Sequence, residues 1–161
     1  MFWFALVILA IVIVFVSLSV KIVPQQQVGV VERLGKFHKL LMPGVNLVIP
    51  VVDRVRVVHD LRIQQTIVPT QSVITKDNVQ VQIDTIIFYQ VVSPEHATYG
   101  ISDYVSGVRN ITTATMRQII GKMELDETLS GREKISTEIR VALDEATEKW
   151  GVRIERVEIM D

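Results

Sequence analysis

Few residues in this sequence have the type and spacing that chemistry demands. The three histidines, His38, His59 and His96, are scattered, and none has a partner four residues away to place two imidazoles on one helix face for a metal. Each reads as an ordinary surface or half-buried histidine. No glycine-rich phosphate loop and no nucleophile elbow is present. Ser106-Gly107 falls inside a helical stripe, without the strand-to-helix turn that exposes a catalytic serine. Read as a half-buried acid on a strand, Asp84 has no evident sequence partner, so a hydrogen-bonded or solvated role fits it best. Asn110-Ile111-Thr112 matches a glycosylation sequon but lies in a predicted cytosolic helix, which makes it a chance match. The expectation is a non-enzymatic protein with no metal and no cofactor.

The elements around these residues point to a membrane. Residues 2 to 20 hold seventeen apolar residues and two serines. As a helix they reach roughly 28 Å, close to the ~30 Å hydrocarbon core of a bilayer. Fourteen of them are Leu, Ile, Phe or Val, each favouring insertion by about 0.3–0.6 kcal/mol near the helix centre. A cleaved signal peptide is the competing reading, with Ser17-Leu18-Ser19 as its cleavage site. Against it stand the missing N-terminal Lys or Arg and an apolar run longer than the usual h-region. Lys21, Arg33, Lys36 and Lys39 all follow the span, so the positive-inside rule predicts a single-pass protein of the inner or plasma membrane with its body in the cytoplasm.

No cysteine is present, which removes disulfides and fits a cytosolic body. The net charge is −1, unevenly spread: residues 21 to 62 carry seven cations and three anions. A basic membrane-proximal part suits anionic headgroups, although ordinary surface charge explains it equally well. It lacks aromatic interleaving, which argues against nucleic acid.

From 22 to 92 the pattern is that of strands. "QQTIVPTQSVIT" and "VQVQIDTIIFYQV" flank Lys76-Asp77-Asn78, a hairpin turn. In the second of these, Val79, Val81, Ile83, Thr85, Ile87 and Tyr89 share one face, and the other face turns apolar at Ile86 and Phe88, so the strand should end buried on both sides. Ser93-Pro94 opens a short helix, and Ser102 or Asp103 caps the next, with Val105, Val108, Ile111, Thr115 or Met116, and Ile119 as its stripe. Ser130-Gly131-Arg132-Glu133 reads as a capping box for a helix that carries Ile135, Ile139, Ala142, Leu143, Ala146 and Trp150 along one face, with Gly151 at its end. A closing strand follows, with Val152, Ile154, Arg156, Glu158 and Met160 on one side. The expected class is α+β: residues 1–20 a transmembrane anchor, 21–161 one domain with a mostly antiparallel sheet, strand-rich to about 92 and helix-rich after it.

"LLMPGVNLVIPVVDRV", residues 40 to 55, is nearly all apolar and broken by two prolines. It is too short for a second span. Read as a strand, Val45, Leu47, Ile49 and Val51 face one side and Asn46, Val48, Pro50 and Val52 the other. One face is needed for a core and the second is surplus, buried or covered by lipid. In the lipid reading, Leu40, Leu41, Met42, Pro43 and Pro50 press into the interface, with Lys36, Lys39, Arg54 and Arg56 at headgroup level.

Four stretches in order, "KIVPQQQVGVVERLGKFHKLLMPGVNLVIPVVDRV", "ITKDNVQVQIDTIIFYQV", "MRQIIGKMELDETLSGREKI" and "DEATEKWGVRIERVEIMD", resemble the SPFH or band-7 domain of stomatins, prohibitins and flotillins, in its bacterial slipin or QmcA-like branch. The resemblance runs from Lys21 to Asp161. It implies a membrane-anchored scaffold that forms large homo-oligomers and organises membrane microdomains, or alternatively an adaptor that restrains a membrane protease or channel. Membrane lipids and a membrane protease or NfeD-type protein are the implied partners. Family members usually continue into an Ala/Glu-rich coiled coil, so this sequence looks like the front of a longer protein. The anchor has no central proline, which favours a single span over a re-entrant hairpin. For subunit contacts the expected residues are Arg132, Glu133, Lys134, Glu138, Arg140, Glu148 and Lys149.

Overall fold

The structure, a computed structural model, describes residues 1–160. Its tertiary contacts divide it after Leu61 into two compact units.

The first unit begins with helix α1, Phe2–Ser19, which buries none of its residues. Five strands follow: β1 (Val20–Val23), β2 (Gln27–Arg33), β3 (Lys36–Leu41), β4 (Gly44–Leu47) and β5 (Asp53–Asp60). β1 and β4 form an antiparallel ribbon; β3, β2 and β5 form an antiparallel sheet in that order, with bulges in both of its pairings. A small core gathers Val23, Val31, Leu41 and Val48, with Val55 against it.

The long apolar stretch is not one core strand. It is the end of β3, a Met42-Pro43 link, the four residues of β4, a turn over 48–52 and the start of β5. Pro50 has no N–H to give a ladder, and Asp53 closes the turn instead, its N–H donating to the Ile49 carbonyl at 2.9 Å. Of the run from Val45 to Val52 only Val48 is buried.

In the second unit, β6 (Gln64–Ile74), β7 (Gln80–Val91) and β8 (Val152–Met160) form an antiparallel sheet with β7 in the centre. Between β7 and β8 come α2 (Pro94–Tyr99), α3 (Tyr104–Ile120), α4 (Leu125–Ser130), α5 (Arg132–Thr147) and a 3-10 turn, Glu148–Trp150. α3 lies against β6, α5 against β8, and the two helices against each other. Their shared core contains Ile87, Met116, Ile139, Leu143 and Ile154. Each fully buried side chain of this size contributes about 1.5–3 kcal/mol relative to exposure.

The β6–β7 hairpin turns where expected: Asn78 takes a positive φ and its N–H donates to Thr75 O. On β7, Ile83, Thr85, Ile87 and Tyr89 are buried as the alternation requires, whereas Ile86 and Phe88 on the other face are half-buried rather than buried. Of the two candidate caps Asp103 is the one used, accepting from Val105 N and Ser106 N. The seam of α3 is Val108, Thr112, Met116 and Ile120, rotated about one residue from the expected stripe. Thr112 fits there because its hydroxyl donates to Val108 O.

Two local expectations are corrected. Ser130 does not cap α5; it ends α4, donating to Asp126 O, and the capping box forms at the head of α4 between Glu124 and Glu127. β8 does not alternate strictly, since Phe88 pairs with Arg156 and Tyr89 with Ile154, which leaves Glu155 as a bulge. The extra residue turns Val157, not Arg156 or Glu158, into the core.

Gly151 sits at φ 65° between α5 and β8, and its carbonyl accepts from Val92 N and Ser93 N. A Cβ there would run into Ser93, coming 2.6 Å from its Cβ. Gly151→Ala is expected to destabilise the second unit by at least the ~1–2 kcal/mol of a left-handed L-residue, read as a lower urea midpoint with an unchanged slope.

Candidate functional site

The features that cluster lie where α1 meets the first unit. No linker separates helix from strand: Ser19 ends α1, Val20 begins β1, and Val48 N donates to Ser19 O at 2.8 Å. In the β1–β4 register Val20 faces Leu47 and Ile22 faces Val45. Cross-strand partners share a face, so these four residues form one apolar face of the ribbon, and all four are exposed. Val23, which points the other way, is buried. Two turns add Leu34 and Val51, which are 83% and 98% exposed, and Ile49 and Met42 are exposed as well. Exposed apolar side chains gathered on one ribbon face and on neighbouring turns mark an interaction site.

Charged groups border it. Lys36, His38 and Arg54 are exposed. Lys39 donates from Nζ to Leu47 O at 2.6 Å, and Arg56 pairs with Glu32 at 3.3 Å. Arg33 forms a two-pronged ion pair with Asp53, at 2.6 Å from Nε and 3.0 Å from Nη2. Hydrogen bonding from that guanidinium holds the Asp53 carboxyl well below the usual carboxylate range. On β5, burial pushes the His59 imidazole down, favouring its neutral form.

Of the residues expected at a lipid interface, Met42 is exposed while Leu40, Pro43 and Pro50 are half-buried. Leu41 is a correction: it is 1% exposed in the core of the unit and faces no lipid. Val20 belongs to the expected anchor, whereas Leu34 and Ile22 lie outside both expected lipid-facing stretches. The signal for Leu34 was legible, since Leu34-Gly35 occupies the hairpin position where Asn-Gly is favoured.

The charged residues expected at subunit contacts do not share one face of α5. Arg132, Glu133 and Arg140 line a groove of about 630 Å³ between α5 and β8. Lys134 and Glu138 line another, of about 540 Å³, against α3 and α4. Glu148 and Lys149 are exposed on the 3-10 turn.

The candidates for chemistry stay dispersed. His96 bonds Ser93 at the head of α2, and Asp84 buries one carboxylate oxygen without a hydrogen-bond partner. Among the described residues no group of three or more His, Asp or Glu side chains is placed to hold a metal.

Residues 21–161 match the model of the SPFH domain / Band 7 family. The chain belongs to that family. An uncharacterized protein of Mycobacterium tuberculosis is 42% identical over 158 residues, covering 96% of this chain and 42% of the relative. One from Methanocaldococcus jannaschii is 41% identical over 161 residues, all of this chain and 80% of the relative. Human mitochondrial stomatin-like protein 2 is 42% identical over 139 residues, 86% of this chain and 39% of that protein. This SPFH chain therefore spans less than half the length of several relatives it matches. Family and apolar helix together group it with the membrane-associated stomatin/prohibitin-type proteins.

Proposed function

We propose that this SPFH chain is a membrane-anchored scaffold that assembles with its own copies and organises the surrounding lipid, without catalysing a reaction. The observation that carries the reading is the exposed apolar face of the β1–β4 ribbon, continuous in sequence with α1. A soluble protein gains nothing from four apolar side chains on one exposed ribbon face beside a helix end. At a bilayer surface they extend the anchor. The body then sits on the cytoplasmic leaflet, with Lys36, Arg54 and Arg56 at headgroup depth and Met42, Leu47 and Val51 below it.

Charges of both signs on two sides of α5 suit contacts with a neighbour on either side, as a head-to-tail ring or patch needs. Any one exposed pair contributes little, about 0–1 kcal/mol, so assembly would rest on repetition. The natural full-length protein in mild detergent is expected to run as a large homo-oligomer by multi-angle light scattering. A monomer overturns the scaffold. Crosslinking to a stoichiometric second protein, such as a membrane protease, in place of self-crosslinks would make the chain an adaptor instead.

A further inference from the structure

Two turn tips of the first unit carry apolar side chains in backbone conformations that other residues adopt more readily. Leu34 and Gly35, at φ 50° and 83°, close the β2–β3 hairpin, and Val51, at φ 77°, tops the turn between β4 and β5. Asn or Gly is the favoured occupant of such positions, and a β-branched residue there is a strained one. Neither side chain recovers this cost by packing within the chain, because both are almost wholly exposed. Strain of this kind persists where surrounding structure enforces it, and it concentrates at functional sites.

One carboxylate enforces it at both tips. Arg33, immediately before Leu34, and Asp53, two residues after Val51, are register partners on β2 and β5. Asp53 Oδ1 accepts from Arg33 Nε, while Oδ2 accepts from Arg33 Nη2 and from Ile49 N at 3.0 Å, which folds the turn that presents Val51. The tips are also joined directly, Leu34 N donating to Val52 O at 3.3 Å. The Asp53 side chain is 1% exposed, so water does not compete for these bonds.

We infer that Asp53 is a positioning residue that locks Leu34 and Val51 side by side as a single apolar prong, which enters the acyl-chain region of the bilayer. The inference rests on the membrane seat proposed above and adds to it the device that presents the seat. The prong is built from turns that are polar in most hairpins, and it is separate from the ribbon face. Arg33 on β2, the Ile49 N–H and the more distant His38 on β3 all favour the ionised carboxyl. A carboxyl whose folded pKa is depressed stabilises the fold above its unfolded value of about 3.9 and loses that contribution only as pH falls through the folded value. The prong therefore keeps its depth from about pH 8 down to about pH 5.

The chain has no cysteine, so Leu34→Cys and Val51→Cys each give one attachment point for a nitroxide in the full chain. The labelled chains are reconstituted in vesicles of phosphatidylcholine and phosphatidylglycerol, and each label's access to oxygen is compared with its access to a water-soluble nickel chelate. With Asp53 present, both labels are expected to favour oxygen, the signature of acyl-chain depth. With Asp53→Asn added, that preference is lost at both positions. Labels open to nickel while Asp53 is intact overturn the membrane seat itself. Labels at unchanged depth after Asp53→Asn overturn the clamp and leave the seat standing. Should circular dichroism show that Asp53→Asn unfolds the unit, Arg33→Lys takes its place, keeping the charge without the planar fork. Loss of depth then supports the clamp, and unchanged depth overturns it.

Discussion

Val7→Arg combined with Ile11→Arg is expected to release the chain from membranes. Both residues lie near the middle of α1 and are exposed. At a helix centre, Val or Ile favours insertion by about 0.3–0.6 kcal/mol and Arg opposes it by about 2.5–3.5. Each exchange therefore costs roughly 3–4 kcal/mol, and the pair on one helix face shifts the insertion equilibrium by about four to six orders of magnitude. Against this stands the whole remaining apolar run, whose residues contribute only tenths of a kcal/mol each. The chain should move from the alkaline-resistant membrane fraction to the supernatant. If it stays in the pellet, α1 is not what holds the protein there, and the ribbon and prong carry the attachment.

A cavity in the second unit should be almost as damaging to stability. Ile139 is 0% exposed and packs in the cluster with Ile87, Met116 and Leu143. Removing three of its carbons by Ile139→Ala costs about 2–5 kcal/mol, the spread reflecting how far the neighbours collapse into the void. A unit of this size has only about 5–15 kcal/mol in total. Its midpoint of thermal unfolding should fall by roughly 10 °C or more. Amide exchange would localise the effect, with β7 and α5 losing protection while β2 in the first unit keeps its own. A matching loss of protection in β2 would show the two units unfolding as one.

The sequence made the long-range plan of the fold legible because periodicity and punctuation agreed over whole elements. Nineteen uninterrupted neutral residues at the start, residues 2 to 20, admitted one secondary structure, and the helix ends one residue short of the apolar run. Asp103, Pro94, Asn78 and Gly151 each sit where their own chemistry requires, so the boundaries they mark were readable. The failures share a different cause. Ser130 has the type of a cap but already serves the last turn of α4, and one hydroxyl does not do both. Glu155 becomes a bulge through its register against β7, a property of two strands that neither shows alone. At Val45 to Val52 alternation suggested one strand, yet only Val45 to Leu47 pair, as part of β4, and the Asp53 carboxylate helps close 48–52 into a turn. The family resemblance was carried by four separate stretches, so it survived every one of these local errors.

The candidate site was readable in its ingredients but not its arrangement. Apolar and basic residues around 36 to 56 pointed to an interface, and several of them border it. Leu41 shows the limit, since the last residue of a strand faces in or out according to a pairing that the sequence does not display. Leu34 lay outside the suspected stretch by six residues and reaches the site only because β2 and β5 bring Arg33 and Asp53 together.

The hydrogen bond between Val48 N and Ser19 O has a mechanical meaning. No residue separates α1 from β1, and this bond ties the helix end to the start of the turn after β4, so in the proposed membrane seat the helix end and the ribbon share one depth. A helix of 18 residues spans about 27 Å, near the thinner end of cellular bilayers. On that seat, a thicker bilayer would draw the helix end and the apolar tips inward, and a thinner one would tilt the helix or lift the tips towards water. Bilayer thickness would thereby become a coordinate along which the proposed engagement with lipid is graded.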